Sequence, residues 1–194
     1  MDLFCVNAEE WSEWLQKNHA TVKEVYLIQH KGVSKVKREE NKDHSRPCIS
    51  YDDAVDIALC WGWIDGRVNT IDHLSFKMRM TPRGPKSMWS QVNIDRVARL
   101  ETQHRMTEHG TKCVEIAKAN GQWALTLRVS TLELPQDMLS ALKVKPAAYA
   151  YYQALSAGTR RAYLRTVLSA KRDDTRERRI SGIVENCIKK RRPR

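Results

Sequence analysis

No stretch of this 194-residue chain approaches the ~18 consecutive apolar residues that a membrane helix requires, so no membrane span is expected. The opening residues, Met1-Asp2-Leu3-Phe4-Cys5-Val6-Asn7, hold too short an apolar run for a signal peptide. The five cysteines (Cys5, Cys48, Cys60, Cys113 and Cys187) form no CxxC pair and no zinc-like spacing. An odd, scattered set of thiols fits a reducing compartment, and a cytoplasmic protein without disulfides is expected, monomeric or weakly dimeric. Catalytic motifs are missing as well: there is no HExxH, GxSxG, P-loop or GxGxxG. His104 and His109 stand five apart and share no helix face as a metal pair would. No catalytic residue, metal or cofactor is therefore assigned, and no internal repeat is present.

What is there describes a folded, well-solvated protein. Hydrophobic residues make up 41% and charged residues 29%, with six Trp and six Tyr to supply large buried surfaces. The net charge of +11 is unevenly placed. Residues 1–60 hold eight basic and eleven acidic side chains, residues 61–128 eleven and six, and residues 129–194 fifteen and six. A C-terminal third at +9 attracts anionic partners over long range: a small ligand, an acidic protein surface or nucleic acid.

Local patterning predicts an α+β fold, mostly helical. Asn7 caps a helix bearing Trp11, Trp14 and Leu15 on one face. Residues 24–28 are short and β-rich, hence a strand. Residues 31–47 break all periodicity and are read as an exposed, mobile basic loop. Ser50 and Asp53 form a capping box ahead of Ala54, Ile57, Ala58 and Trp61 at helical spacing, ending at Gly62. Trp63-Ile64-Asp65-Gly66 reads as a turn into a hairpin near 67–80, where Phe76, Met78 and Met80 alternate with polar residues. With 24–28 this makes a small three-stranded sheet packed by helices. Ser87 or Ser90 caps the next helix, and Thr107 caps another that stops at a left-handed Gly121. From Pro135 onward everything reads as helix: Ser156 caps one, and Ile180, Ile183, Val184 and Cys187 stripe the last. The division expected is an α+β core over 1–128 and a helical region over 129–194, with a basic tail at 189–194.

Three ordered motifs stand out. They are Ala58-Leu59-Cys60-Trp61-Gly62-Trp63-Ile64-Asp65-Gly66, the run Thr81–Asn93 (TPRGPKSMWSQVN), and Ser169–Ile180 (SAKRDDTRERRI). They resemble the GWID, PR…S-WS..N and AK…TR..RI signatures of the YdeI/OmpD-associated (bacteriocin-protection) family, and with the helical spacing between them the resemblance spans nearly the whole chain. It implies a role in surviving cationic antimicrobial peptides, with no reaction attached. Trp61, where the family has a smaller Phe-like aromatic, and the basic 31–47 loop depart from the pattern.

The polar residues of these motifs each have two readings. Asp65 is a carboxylate presented at a pocket, or half of an Asp-Gly turn. Arg83, Lys86, Trp89, Ser90 and Asn93 crowd a helix start that can hold phosphate or carboxylate, or they cap the helix and fill core, with Arg83 paired to Asp65. Lys171, Thr175, Arg176 and Arg179 make a cationic groove, or a solvated face with internal ion pairs. Arg160, Arg161 and the tail contact nucleic acid or serve as a nuclear address, or only solubilise. The functional readings predict one cleft, walled by Trp63 and Trp89 and lined by guanidinium groups. The function expected is that of a non-enzymatic stress-protection protein binding an anionic ligand or acidic partner. The alternatives are a nucleic-acid-associated basic protein and, third, a small-molecule enzyme using Asp65 as acid or base.

Overall fold

The alternation in residues 24–28 and 67–80 becomes sheet, and the capped apolar runs become helices. The computed structural model describes residues 1–31 and 47–191, so the basic loop expected at 31–47 lies, apart from its ends, outside the described residues. The fold is α+β, and the described residues are 56% helical. It divides into two compact units, Met1–Asn120 and Gly121–Arg194.

The first unit runs β1 (Asp2–Phe4), α1 (Ala8–Asn18), β2 (Val25–His30), α2 (Tyr51–Cys60), β3 (Trp63–Thr70), β4 (Ser75–Pro82), α3 (Gln91–Thr102) and α4 (Glu108–Ala119). Its sheet has four strands in the order β1-β2-β4-β3, not the three expected. The added strand is β1, which pairs in parallel with β2 through Leu3 opposite Leu27. Three residues carry no readable alternation, and what makes them a strand is the open edge of β2 reached through the α1 crossover. A second correction concerns Trp63–Gly66, which is strand rather than turn. β3 pairs with β4 from Trp63 opposite Pro82, with a register shift between Asp65 and Val68. That bulge hides the period-two pattern from the sequence. The reversal lies at 71–74, where the Asp72 carboxylate accepts the backbone N–H groups of Leu74 and Ser75, each at 2.7 Å.

Val25 and Leu27 of β2 and Met78 and Met80 of β4 are fully buried, as are Trp11 and Leu15 of α1. Trp63 meets Trp11 and Trp14 edge-on, with ring centroids 6.5 and 5.9 Å apart, the arrangement aromatic quadrupoles favour. Helix α2 is buried from Ala54 through Cys60. Its C-terminus presses on α4 so closely that a Cβ added to Gly110 would stand 2.3 Å from the Cys60 carbonyl oxygen. Gly62 between α2 and β3 has φ +71°, and a Cβ there would sit 2.7 Å from Cys113 Sγ. A glycine is required at both positions, one for space and one for backbone and space together.

The second unit is helical throughout its described residues: α5 (Gln122–Ser130), α6 (Gln136–Lys143), α7 (Pro146–Ala154), α8 (Ala157–Leu168) and α9 (Asp173–Ile188). Met138, Leu142, Tyr152, Leu164 and Val167 form its core with Ile180, Ile183 and Cys187 of α9. Ser156 caps α8 by accepting the Thr159 N–H, and Pro146 opens α7. The cysteines among the described residues are free thiols. No helix there is long and apolar enough to cross a membrane.

Candidate functional site

Arg83 is the least conventional residue of the first unit. It leaves β4 after Pro82, tied by its backbone N–H to the Gly62 carbonyl at 2.8 Å, and its side chain turns inward until only 9% is exposed. The guanidinium carbon lies 3.8 Å above the Trp89 ring, and Nη1 donates to the Met88 carbonyl at 3.1 Å. Nε and Nη2 are buried and have no hydrogen-bond partner. Those two N–H groups form the edge of a guanidinium that grips a carboxylate or phosphate with two parallel bonds. Burial drives the Arg83 pKa down to about 10, against the nearby Cys113 and Asp65, which act to raise it. The group therefore stays charged at neutral pH, and among the described residues no carboxylate reaches it as an ion pair. Asp65 instead accepts a hydrogen bond from the Tyr51 hydroxyl at 3.0 Å, and burial first, then this bond, raises the Tyr51 pKa.

The remaining first-unit candidates divide between core and cap. Trp89 is buried beneath Arg83. Trp63, at 1% exposure, belongs to the tryptophan cluster of the core and walls no accessible cleft. Ser90 rather than Ser87 caps α3, accepting the Asn93 N–H at 3.2 Å, while the Ser87 hydroxyl accepts the Gly84 N–H at 3.0 Å. Lys86 is exposed on that same turn.

In the second unit the two candidate arginines are already engaged. Arg176 holds Asp137 with both Nε (2.6 Å) and Nη2 (2.9 Å), and its Nη1 donates to the Val167 carbonyl at 3.3 Å. Its hydrogen bond keeps the Asp137 carboxyl below the ordinary value. Arg179 donates to the Thr166 carbonyl at 2.7 Å and to Ser169 Oγ at 3.2 Å. Both arginines thus satisfy carbonyls at the end of α8, groups a helix cannot pair for itself. Thr175 is half-buried and Lys171 exposed. Among the described residues no group of three or more His, Cys, Asp or Glu is placed to hold a metal ion.

Comparison with known families adds two matches. Residues 3–113 match a family described as a domain of unknown function, DUF8412. The chain belongs to the DUF8412 family. Residues 131–189 match a second family, described as Bacteriocin-protection, YdeI or OmpD-Associated, the one the motifs resemble. The DUF8412 match falls within the first unit and the bacteriocin-protection match within the second. The first two motifs, 58–66 and 81–93, therefore lie in the DUF8412 region, and the motif at 169–180 in the other. No curated protein and no solved structure matches the chain.

The DUF8412 region also holds a constellation that reading by motif missed. Asp56 of α2, 3% exposed, is gripped by Arg96 Nη1 at 2.7 Å and Arg99 Nη2 at 2.6 Å, and Arg96 also bonds Asp52. Burial acts to lower the Arg96 pKa, but these carboxylates outweigh it and the net shift is upward. The signal was available: two aspartates at i, i+4 on one helix face two arginines at i, i+3 on another, opposite charges on matched faces. Because its ion pairs run between the two helices, this cluster clamps α2 to α3.

Proposed function

We propose that this is a non-enzymatic binding protein, a stress or antimicrobial-peptide protection factor, that receives an anionic group at Arg83. One observation carries the reading: a nine-tenths buried cation whose Nε and Nη2 have no acceptor. Buried charges in proteins are paired, since an uncompensated one loses its hydration for nothing. A carboxylate or phosphate supplies both the missing charge and the two missing acceptors. In Arg176 the same Nε–Nη2 edge grips Asp137. The Arg83 edge is enclosed, so a guest enters by displacing the exposed Gly84–Met88 turn, where Met88 is 68% exposed. The name of the family matched at 131–189 supports a protective role.

The test is thermal unfolding of the full chain and of Arg83→Gln and Arg83→Lys in inorganic phosphate, against chloride of equal ionic strength. Binding to the native state stabilises by about 2.7 kcal/mol at a hundred times Kd. The wild type should gain melting temperature with phosphate, Arg83→Gln should gain none beyond the chloride control, and Arg83→Lys, a point charge without the fork, should gain less. Equal phosphate responses in all three would overturn the reading.

A further inference from the structure

A groove in the second unit, between α6 and α9, has no part in the Arg83 reading. Two adjoining hollows of about 480 and 420 Å³ share Ala141 and Ser181, so they form one trough. Its residues advance together along both helices: Asp137 and Ala141 on α6 and Val144 at its C-terminal cap, with Glu177, Ser181 and Ile188 on α9. The spacings of three, four and seven define one face of each helix, and the two helices start at the same end. At 1.5 Å per residue the α9 side, Asp173–Ile188, is roughly 22 Å long, about four helical turns. The waist is lined by small residues, Ala141 and Ser181, which let a third backbone come close.

Charge and polarity change along the trough. At its start Asp137, Asp173 and Glu177 face a single cation, Arg176, whose Nε–Nη2 edge is spent on Asp137. Among the described residues no cation pairs with Asp173 or Glu177 within ion-pair distance. At the other end the lining is mostly apolar, with Val144 72% and Ile188 50% exposed beside Lys145 and Glu185. A carboxylate cluster in a third of the chain that carries +9 runs against the prevailing sign, so it selects locally what the unit as a whole does not attract.

We infer that this trough docks an amphipathic helix of a partner protein, with apolar side chains along one face and Arg or Lys in its last turn. Basic residues are best placed at a helix C-terminus. Set against Asp173 and Glu177, that C-terminus lies beside the N-termini of α6 and α9, and the guest runs antiparallel to both. Its dipole then opposes theirs, and its apolar face covers Val144, Val184 and Ile188 in the helix-in-groove manner.

Fluorescence anisotropy of the full chain with three labelled 15-residue helical peptides tests this. All carry Leu at i, i+4, i+7 and i+11; one has three Arg in the last turn, one has them in the first turn, and one has Glu in place of Arg. The first should bind at least tenfold tighter than the others. Asp173→Asn/Glu177→Gln should abolish that preference, and Val144→Asp/Ile188→Asp, at exposed positions, should weaken all binding tenfold or more. Arg83→Gln should change nothing here, which separates this surface from the anion site. Indistinguishable affinities for the three peptides, or variants that bind like the wild type, would sink the inference. So would a dimer in sedimentation that Val144→Asp/Ile188→Asp disperses, because a second copy would then be the occupant.

Discussion

Alanine in place of glycine should act with opposite sign in two helices of this chain. Gly110 lies in the first turn of α4, whose cap Thr107 is stapled to α2: its N–H and its hydroxyl both donate to the Cys60 carbonyl, at 3.2 and 2.5 Å. A Cβ at Gly110 would meet that oxygen at 2.3 Å and the Leu59 carbonyl oxygen at 2.8 Å. The obstacles are backbone atoms, so no rotamer change relieves them. Alanine gains up to about 1 kcal/mol in helix propensity, while overpacking costs typically ~1–3 kcal/mol and occasionally more. With the obstruction on fixed atoms the clash wins, and Gly110→Ala should lose about 2 kcal/mol. Gly182 in α9 has nothing within 4 Å of its would-be Cβ, so Gly182→Ala keeps only the propensity term and should gain about 0.5–1 kcal/mol. Urea titration at constant m-value measures both. Five of the six tryptophans (Trp11, Trp14, Trp61, Trp63 and Trp89) lie in Met1–Asn120, so their fluorescence follows the Gly110 unit and ellipticity at 222 nm follows the whole. A neutral or stabilising Gly110→Ala would show that α2 and α4 do not approach as described.

The Asp56 clamp should be costly to break from one side. Asp56→Ala leaves Arg96, whose side chain is 15% exposed, without its buried carboxylate, and a loss of about 3–5 kcal/mol is expected in the same titration; a loss under ~1 kcal/mol would contradict the burial of the pair. Acid stability should respond to Asp137, whose carboxyl is held below the ordinary carboxylate range because Arg176 bonds the charged form. A depressed folded-state pKa adds stability above the unfolded value and loses it as pH falls through the folded one. Asp137→Asn should therefore be less stable than wild type at pH 7 and lose less on acidification below pH ~4. Parallel stability curves for the two proteins would refute that coupling.

Much of the fold was legible because it rests on local chemistry. Asn7, Ser50, Thr107 and Ser156 cap the helices their positions imply, since a cap needs only its own next three residues. Gly121 takes the left-handed conformation, with φ 80°. What was not legible depends on distant partners. β1 exists through β2, and the bulge in β3 exists through β4. The same limit governed the site. Arg176 and Arg179 read as binding groups because charge is visible in a sequence, whereas the α8 carbonyls and Asp137 that engage them become neighbours only after folding. Trp63 read as a wall because the sequence does not say that Trp11 and Trp14 reach it first.

Arg83 carries the proposed site, and its stability effect can be separated from its binding effect. If the guanidinium were a structural bond, removing it should hurt as much as removing Asp56. The contacts weigh otherwise. Nη1 makes one hydrogen bond to Met88 and the plane stacks on Trp89; together these stabilise by about 2–4 kcal/mol. Against them stands the desolvation of an unpaired cation, several kcal/mol even after relaxation. Methionine matches the length and flexibility of the arginine stem and brings no charge. Arg83→Met should therefore be neutral within about 1 kcal/mol or stabilising, while the phosphate-dependent gain in melting temperature disappears. A loss of ~3 kcal/mol or more on this substitution would make Arg83 a structural residue of the Gly62–Trp89 corner, and the anion site would fall with it.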